Sequence, residues 1–171
     1  GITGIFTKTL DIAMINGQVD IAVHSMKDVP TALPIGIVQA AVLERANTVD
    51  ILVHKGNLDF LNSEGTIATG SLRRQAQWLN KYPNHNVVDL RGNVNTRMQK
   101  LQDNDWNGAV FAAAGLERIN LKPENYIDLS WMIPAPAQGA MVVVAMKNDD
   151  FCREALAKLN HAETEICTHI E

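Results

Sequence analysis

Short β-branched runs alternate with amphipathic stretches along most of this chain, and that alternation most narrows the folds open to it. Three strand-then-helix units stand in a row: Thr66 to Thr69 into Ser71 to Asn80, Val87 to Leu90 into Asn93 to Leu101, and Ala109 to Ala112 into Leu116 to Ile119. An α/β architecture with largely parallel strands is the expectation. Upstream, Phe6 to Ile15 carries apolar residues at 6, 10, 13 and 14, one helix face, which Asn16-Gly17 closes. Asp20 to His24, Ile37 to Leu43 and Val49 to Val53 read as strands, with Pro30 and Pro34 punctuating the connection. Met141 to Met146 is a further strand, and Phe151 to Leu159 and Glu163 to Ile170 are helices. Gly1 leads almost directly into a helix and Glu171 stops inside a helical pattern, so the chain reads as a fragment of a longer protein.

Charge and composition exclude several function classes. With 171 residues, 46% hydrophobic and 20% charged, the chain can bury one ordinary core or two small ones. A net charge of −4 argues against a broad positive field for nucleic acid or anionic membranes, so an anion site has to be local. No apolar run reaches the roughly 18 residues of a membrane span, and the first residues lack a signal-peptide layout, so a soluble, cytoplasmic protein is expected. Cys152 and Cys167 sit in no CxxC pair and read as free thiols; the five histidines lack i, i+4 spacing, and no metal is assigned.

The strongest chemical signal is where the arginines fall. Ser71-Leu72-Arg73-Arg74 follows a strand and opens a helix, so Ser71 can cap a helix whose free N–H groups face the strand ends. Arginine in a first turn is opposed by the helix dipole, at about 0.3–1 kcal/mol per charge, so two together call for a compensating anion. A solvated surface pair is the bland alternative. The pattern repeats at Leu90-Arg91-Gly92-Asn93, with Arg97 one turn on, and Arg118 follows the third strand. Guanidinium groups at three successive strand ends of a negatively charged chain suggest a ligand with several carboxylates or phosphates.

A second signal lies in Asp20-Ile21-Ala22-Val23-His24-Ser25-Met26-Lys27-Asp28-Val29-Pro30. A buried strand runs into a polar tetrad held by a proline, so Ser25, Lys27 and Asp28 emerge at a strand end. Lys27 and Asp28 are compatible with an ordinary exposed ion pair. A lone carboxylate among cationic groups would instead suit stabilising a developing positive charge or moving a proton. His24 reads as a satisfied near-core histidine with no catalytic role.

Six linked motifs together resemble the porphobilinogen deaminase (hydroxymethylbilane synthase) family: HSMKDVP at 24–30, TGSLRRQ at 69–75, which is similar to the family's TSSLRR turn, LRGNVNTR at 90–97, AAAGLERI at 112–119, PAPAQGA at 134–140 and LNHAET at 159–164. The resemblance covers essentially the whole chain. It implies two periplasmic-binding-protein-like (type 2) α/β domains around a cleft: a partial domain 1 from residues 1–45 and 137–158, a complete domain 2 from 46–136, and residues 159–171 as a helix leading toward a third domain outside this chain. It implies a dipyrromethane cofactor tethered to a cysteine outside this chain, on which four porphobilinogen molecules are deaminated and joined head to tail, releasing hydroxymethylbilane and ammonia. By motif position Asp28 is the catalytic carboxylate. The resemblance likewise implies that Ser25, Lys27, Thr69, Ser71, Arg73 and Arg74 would hold cofactor carboxylates. It implies that Arg91, Gly92, Arg97, Arg118 and Gln138 would bind the substrate or the growing chain. The resemblance further implies a monomeric, cytoplasmic enzyme that meets neither nucleic acid nor membrane, with this fragment alone inactive.

Three departures stand out. Gly70 occupies the place where the family turn often has a second serine, removing a hydroxyl donor. Thr3 and Gly4 stand where many members have a Gly-Lys-Gly run, and neither Cys152 nor Cys167 has the neighbouring glycines of the cofactor cysteine. A reversible anion-binding module of periplasmic type is the rival on the same architecture, distinguished by the lack of a covalent cofactor. A nucleic-acid binder is disfavoured by the acidic remainder and by an aromatic content of only 5%.

Overall fold

The structure is a computed structural model that describes residues 5–171, with side chains from residue 7 onward. In chain order its elements are α1 (Ile5–Ile15), β1 (Ile21–Ser25), β2 (Ile37–Val42), β3 (Asp50–His54), β4 (Thr66–Ala68), α2 (Leu72–Lys81), β5 (Asn86–Val88), α3 (Val94–Asp103), β6 (Gly108–Ala112), α4 (Ala113–Glu117), β7 (Tyr126–Asp128), β8 (Met141–Met146), α5 (Asp150–Ala157) and α6 (Ala162–Ile170). They form two compact units, one from Gly1–Ala46 and Ala135–Glu171, the other from Asn47–Pro134. Thr3 and Gly4, one of the departures above, lie outside the described residues.

In the first unit β8 lies between β1 and β2 and pairs antiparallel with both. Alternation along β8 serves two layers. Val142 and Val144 join Ala22, Ile37, Val42 and Met14 of α1 on one face, while Val143 and Ala145 pack with Ala41 and Leu156 of α5 on the other. A strand buried on both faces has to be apolar throughout, which is why MVVVAM reads so clearly in the sequence. Asn16-Gly17 ends α1 as expected: Gly17 takes φ +67, a left-handed conformation natural to glycine, and its N–H bonds Met14 O at 3.0 Å. Asp149 caps α5 through Cys152 N at 2.9 Å, and α6 is tied to β2 by His161 N on Val42 O at 2.8 Å.

The second unit holds the sheet β5-β4-β6-β3-β7 between two apolar layers. Ile51, Val53, Ala109 and Phe111 share one layer with Leu101 of α3 and Leu116 of α4. Leu52, Ile67 and Val110 share the other with Phe60 and with Trp78 of α2, which is fully buried. Burial of each such aliphatic or aromatic side chain contributes about 1.5–3 kcal/mol. Trp78 also fixes a histidine: its Nε1–H donates to His85 Nδ1 at 3.2 Å, so Nε2 carries the ring proton and donates to Phe60 O at 3.0 Å.

Strand direction corrects the expectation of a largely parallel arrangement. Only β4 with β5 and β4 with β6 are parallel among the described pairs; β1–β8, β2–β8, β3–β6 and β3–β7 are antiparallel. The antiparallel strands β3 and β8 are the first elements after each passage of the chain from one unit to the other. An apolar run specifies burial and leaves direction open, so the local pattern carried no information on this point. Two further differences are local. β7 was not read as a strand because three residues show no period, and the helix expected at Leu116 to Ile119 begins at Ala113 directly from β6, leaving Arg118 at its C-cap.

Candidate functional site

The residues singled out by sequence fall in two sets, one in each unit. In the first unit Ser25 ends β1, and Lys27 and Asp28 lie on a single 3-10 turn, Met26–Asp28. Met26 N bonds Ala140 O at 3.0 Å and Val29 N bonds Met26 O at 3.1 Å, which fixes the turn on the edge of the sheet. Lys27 and Asp28 are both exposed, as a strand-end carboxylate and ammonium meeting a ligand have to be. Lys27 Nζ donates to the side-chain oxygen of fully buried Gln138 at 3.4 Å, so these two predicted site residues meet. Gln138 is held in place from several sides. Its carbonyl accepts Arg45 Nε at 3.0 Å, and Arg45 forks onto Glu171 at 2.5 and 2.9 Å. Glu171 in turn accepts Ala137 N at 2.7 Å. The hydrogen bond from Arg45 keeps the Glu171 carboxyl below the usual range. Ala137 stands at φ +56, in the left-handed region, a cost of roughly 1–2 kcal/mol for a non-glycine that the surrounding bonds sustain. Lys27 also lines a cavity of about 810 Å³ whose wall includes Val29, Gln39, Val144, Glu165 and Glu171. His24 is buried, and its Nε2 is the one buried side-chain nitrogen or oxygen among the described residues with no hydrogen-bond partner.

In the second unit the turn after β4 and the turn after β5 lie side by side. Thr69 N bonds Val88 O at 3.0 Å, and Thr69 Oγ1 accepts Ser71 N at 3.2 Å. Ser71 caps α2 by accepting Arg74 N, and Asn93 caps α3 by accepting Thr96 N at 2.9 Å, both as the residue pattern implies. A Cβ on Gly70 would come 2.5 Å from Leu90 O and 3.5 Å from the Arg91 side chain, so the missing serine has a steric cause: the two turns approach too closely for one. Gly92 takes φ +118, and a Cβ there would meet Thr96 at 2.8 Å, so glycine is required at that corner. Arg97 Nε donates to Gly92 O at 2.6 Å, while Arg91 is exposed and pairs with Asp89 at 3.0 Å. Arg118 is exposed at the end of α4, where the helix dipole favours a cation.

A residue that the sequence reading passed over organises the tandem arginines. Asp50 opens β3 and is fully buried. Its Oδ1 accepts Arg74 Nε at 3.1 Å and Nη2 at 2.7 Å, its Oδ2 accepts Arg73 Nη2 at 2.7 Å, and Arg74 Nη1 donates to Val110 O at 3.2 Å. Arg73 Nη1 donates to Ile133 O. Burial pushes the Asp50 carboxyl up, and the combined pull of Arg74 and Arg73 more than reverses that, holding it below the usual range. The negative charge that two first-turn arginines demand is therefore supplied from inside the protein, where the sequence argument assigned it to a ligand. The two guanidinium groups differ in access: the Arg74 side chain is 8% exposed and that of Arg73 25%. Asp50 escaped notice because it sits in a run otherwise made of Val49, Ile51, Leu52 and Val53, and because its partners lie more than twenty residues away. The signal that could have found it is an acidic residue at the mouth of an apolar strand in a chain with unpaired first-turn arginines.

Chemically the first unit presents an exposed carboxylate next to an ammonium, and the second presents hydroxyl, amide and guanidinium donors on adjoining turns. Among the described residues no three His, Cys, Asp or Glu side chains gather as a metal site, and no helix is long and apolar enough to cross a membrane. Both cysteines are free; Cys167 is exposed, and the hydrogen bond of Asp149 pushes the Cys152 thiol up, which disfavours the reactive thiolate.

Comparison with known proteins agrees with these features. The family profile described as "Porphobilinogen deaminase, dipyromethane cofactor binding domain" matches residues 1–154. The porphobilinogen deaminase of Chloroherpeton thalassium is 39% identical over 175 residues, covering 100% of this chain and 56% of that protein. That of Geobacillus sp. (strain WCH70) is 41% identical over 167 residues, covering 95% and 54%, and the chloroplastic enzyme of Oryza sativa subsp. japonica is 41% identical over 172 residues, covering 98% and 48%. The chain spans about half the length of the curated relatives it matches. Among solved structures, the Bordetella pertussis BvgS VFT2 domain has a TM-score of 0.53 at 13% identity, covering 95% of this chain and 72% of that one. The GluR0 ligand binding core in complex with L-glutamate has a TM-score of 0.50 at 15% identity, covering 95% and 76%. At such identities the likeness shows the fold alone, the periplasmic-binding-protein-like α/β type.

Proposed function

Because this chain belongs to the porphobilinogen deaminase family and its matched region is that family's dipyrromethane cofactor binding domain, we propose that it is the cofactor- and substrate-binding part of a hydroxymethylbilane synthase. The full protein deaminates four porphobilinogen molecules in turn, joins them head to tail on a dipyrromethane primer, and releases hydroxymethylbilane and ammonia. The observation that carries this reading is the donor set on the two adjoining turns of the second unit, which offers Ser71, Arg73 and Arg91 to a polyacid, with buried Thr69 bracing the turn through Ser71 N.

The residues suit the cofactor. A dipyrromethane bears several carboxylates; the turns of the second unit offer guanidinium forks and hydroxyls around a single buried counter-charge at Asp50, and the first unit by itself offers the Lys27 ammonium. In bound form the cofactor supplies the pyrrole carbon from which the chain is extended. Ser25, Lys27, Thr69, Ser71, Arg73 and Arg74 hold and orient its acid side chains, Arg74 partly through the position it imposes on its neighbour. Arg91, Gly92, Arg97 and Arg118 meet the acid groups of the arriving porphobilinogen, and Gln138 sets the position of Lys27. Asp28, exposed on a fixed turn, accepts pyrrole N–H groups and stabilises the positive charge that develops on the substrate as ammonia departs. The cofactor is tethered through a cysteine outside this chain. The enzyme works in the cytoplasm as a monomer, without nucleic acid or membrane.

The test uses the full-length protein. Its intact mass should exceed the sequence mass by one dipyrromethane, and porphobilinogen should yield hydroxymethylbilane. Asp28→Ala should retain the fold, because the side chain is exposed, and lose turnover by about 10²–10⁴-fold. A bare mass with reversible binding of small anions would favour the rival binding module, and full turnover by Asp28→Ala would remove Asp28 from the mechanism.

A further inference from the structure

The tandem arginines are held by a carboxylate that faces no solvent, and the two guanidinium groups are held differently. Arg74 spends Nε and Nη2 on one oxygen of Asp50 and Nη1 on the carbonyl of Val110, and it is buried. Arg73 gives Asp50 only Nη2, through the other oxygen, and it keeps a quarter of its side chain exposed. With Nη1 engaged by Ile133 O, Arg73 still has its Nε–H and one hydrogen on each terminal nitrogen available for further acceptors. A guanidinium on a free side chain samples many rotamers, and one pinned at two points loses little entropy when it accepts a carboxylate. Asp50 also cancels one of two adjacent positive charges, so the pair carries a single net charge at the start of α2.

We propose that Asp50 is a positioning residue: anchored by Arg74, it holds the Arg73 guanidinium in the orientation that receives a carboxylate of the ligand. The inference rests on the reading of this turn as a carboxylate site, and it adds to that reading a residue outside the recognised motifs. In this arrangement Arg74 and Asp50 form the fixed base and Arg73 the presented arm. Asp50 itself never touches the ligand.

A double-mutant cycle in the full-length protein, produced without porphobilinogen so that it carries no dipyrromethane by intact mass, tests this, with glutarate as the probe and its dissociation constant as the readout. Asp50→Asn should weaken glutarate about tenfold when Arg73 is present, the loss of one oriented charge-assisted hydrogen bond. In the Arg73→Gln background the same substitution should weaken it less than twofold, because the arm it positions is gone. Equal weakening in both backgrounds would mark Asp50 as a merely structural residue and overturn the proposal. So would unchanged affinity in Asp50→Asn, or no measurable glutarate binding by the unmodified protein. If Asp50→Asn leaves Arg74 buried without a counter-ion and fails to fold by circular dichroism, the paired Asp50→Asn/Arg74→Gln variant removes both buried charges and carries the same cycle. Formation of hydroxymethylbilane by the unmodified protein is measured separately: its absence removes the proposed function, while the glutarate cycle still decides the role of Asp50.

Discussion

Placing a serine at Gly70 should harm this protein. A Cβ at Gly70 would lie 2.5 Å from Leu90 O, closer than real Cβ atoms come, and the obstructing atom is backbone, which cannot swing aside as a side-chain end can. Either the turn after β4 or the turn after β5 has to retreat, and overpacking of this kind costs about 1–3 kcal/mol. All three tryptophans, Trp78, Trp106 and Trp131, belong to the second unit, so their fluorescence reports the unfolding of that unit alone. For a unit of 60–100 residues each kcal/mol moves the midpoint by about 4–8 °C, so Gly70→Ser should lower the fluorescence midpoint by at least about 4 °C. Gly70→Ala, with no hydroxyl to form a compensating bond, should do the same. An unchanged or higher midpoint in either variant would show that the two turns do not approach as described, and would return the glycine to the status of a missing donor.

Other expectations follow from the same geometry. Gly115 lies in α4 with nothing within 4 Å of a built Cβ, so Gly115→Ala should raise the same midpoint by the equivalent of about 0.4–1 kcal/mol; a fall would mean that the helix is not seated as described. The Asp50 carboxyl titrates below its ordinary value of 3.8, so the stability it contributes is whole above that value and is lost as pH falls through the lowered one. Urea midpoints read by tryptophan fluorescence should therefore drop more steeply on acidification below about pH 4 in the unmodified protein than in Asp50→Asn, and parallel curves would contradict the assignment. Glu171→Gln should cost about 0.5–1 kcal/mol, the discounted worth of a partly exposed arginine fork, and should speed amide exchange in α6 ahead of α1; uniform exchange would argue against the Arg45 anchor.

Much of the architecture was legible because its causes are local. Ser71 and Asn93 cap helices because each is a small polar residue placed before an amphipathic run, and MVVVAM reads as an inner strand because its four central residues are all apolar and all buried. What escaped depends on distant partners. The direction of β3 and β8 follows from where the chain re-enters each sheet, and the partnership of Asp50 with Arg73 and Arg74 spans 23 and 24 residues. The same holds for the site: the candidate residues could be picked out one by one, whereas the close approach that makes Gly70 obligatory, and the left-handed Ala137 beside Gln138, exist only once the turns are assembled.

The placement of β8 between β1 and β2 bears on how the chain acquires its structure during synthesis. Strands β1 and β2 do not touch each other; each finds its only described strand partner in a segment made about a hundred residues later. The uninterrupted second unit can therefore complete its sheet while the first still waits, exposed, for Met141–Met146 to leave the ribosome. Strands β1 and β2, made ahead of the second unit, are thus paired after it, and these waiting apolar strands are where a chaperone would have most to protect.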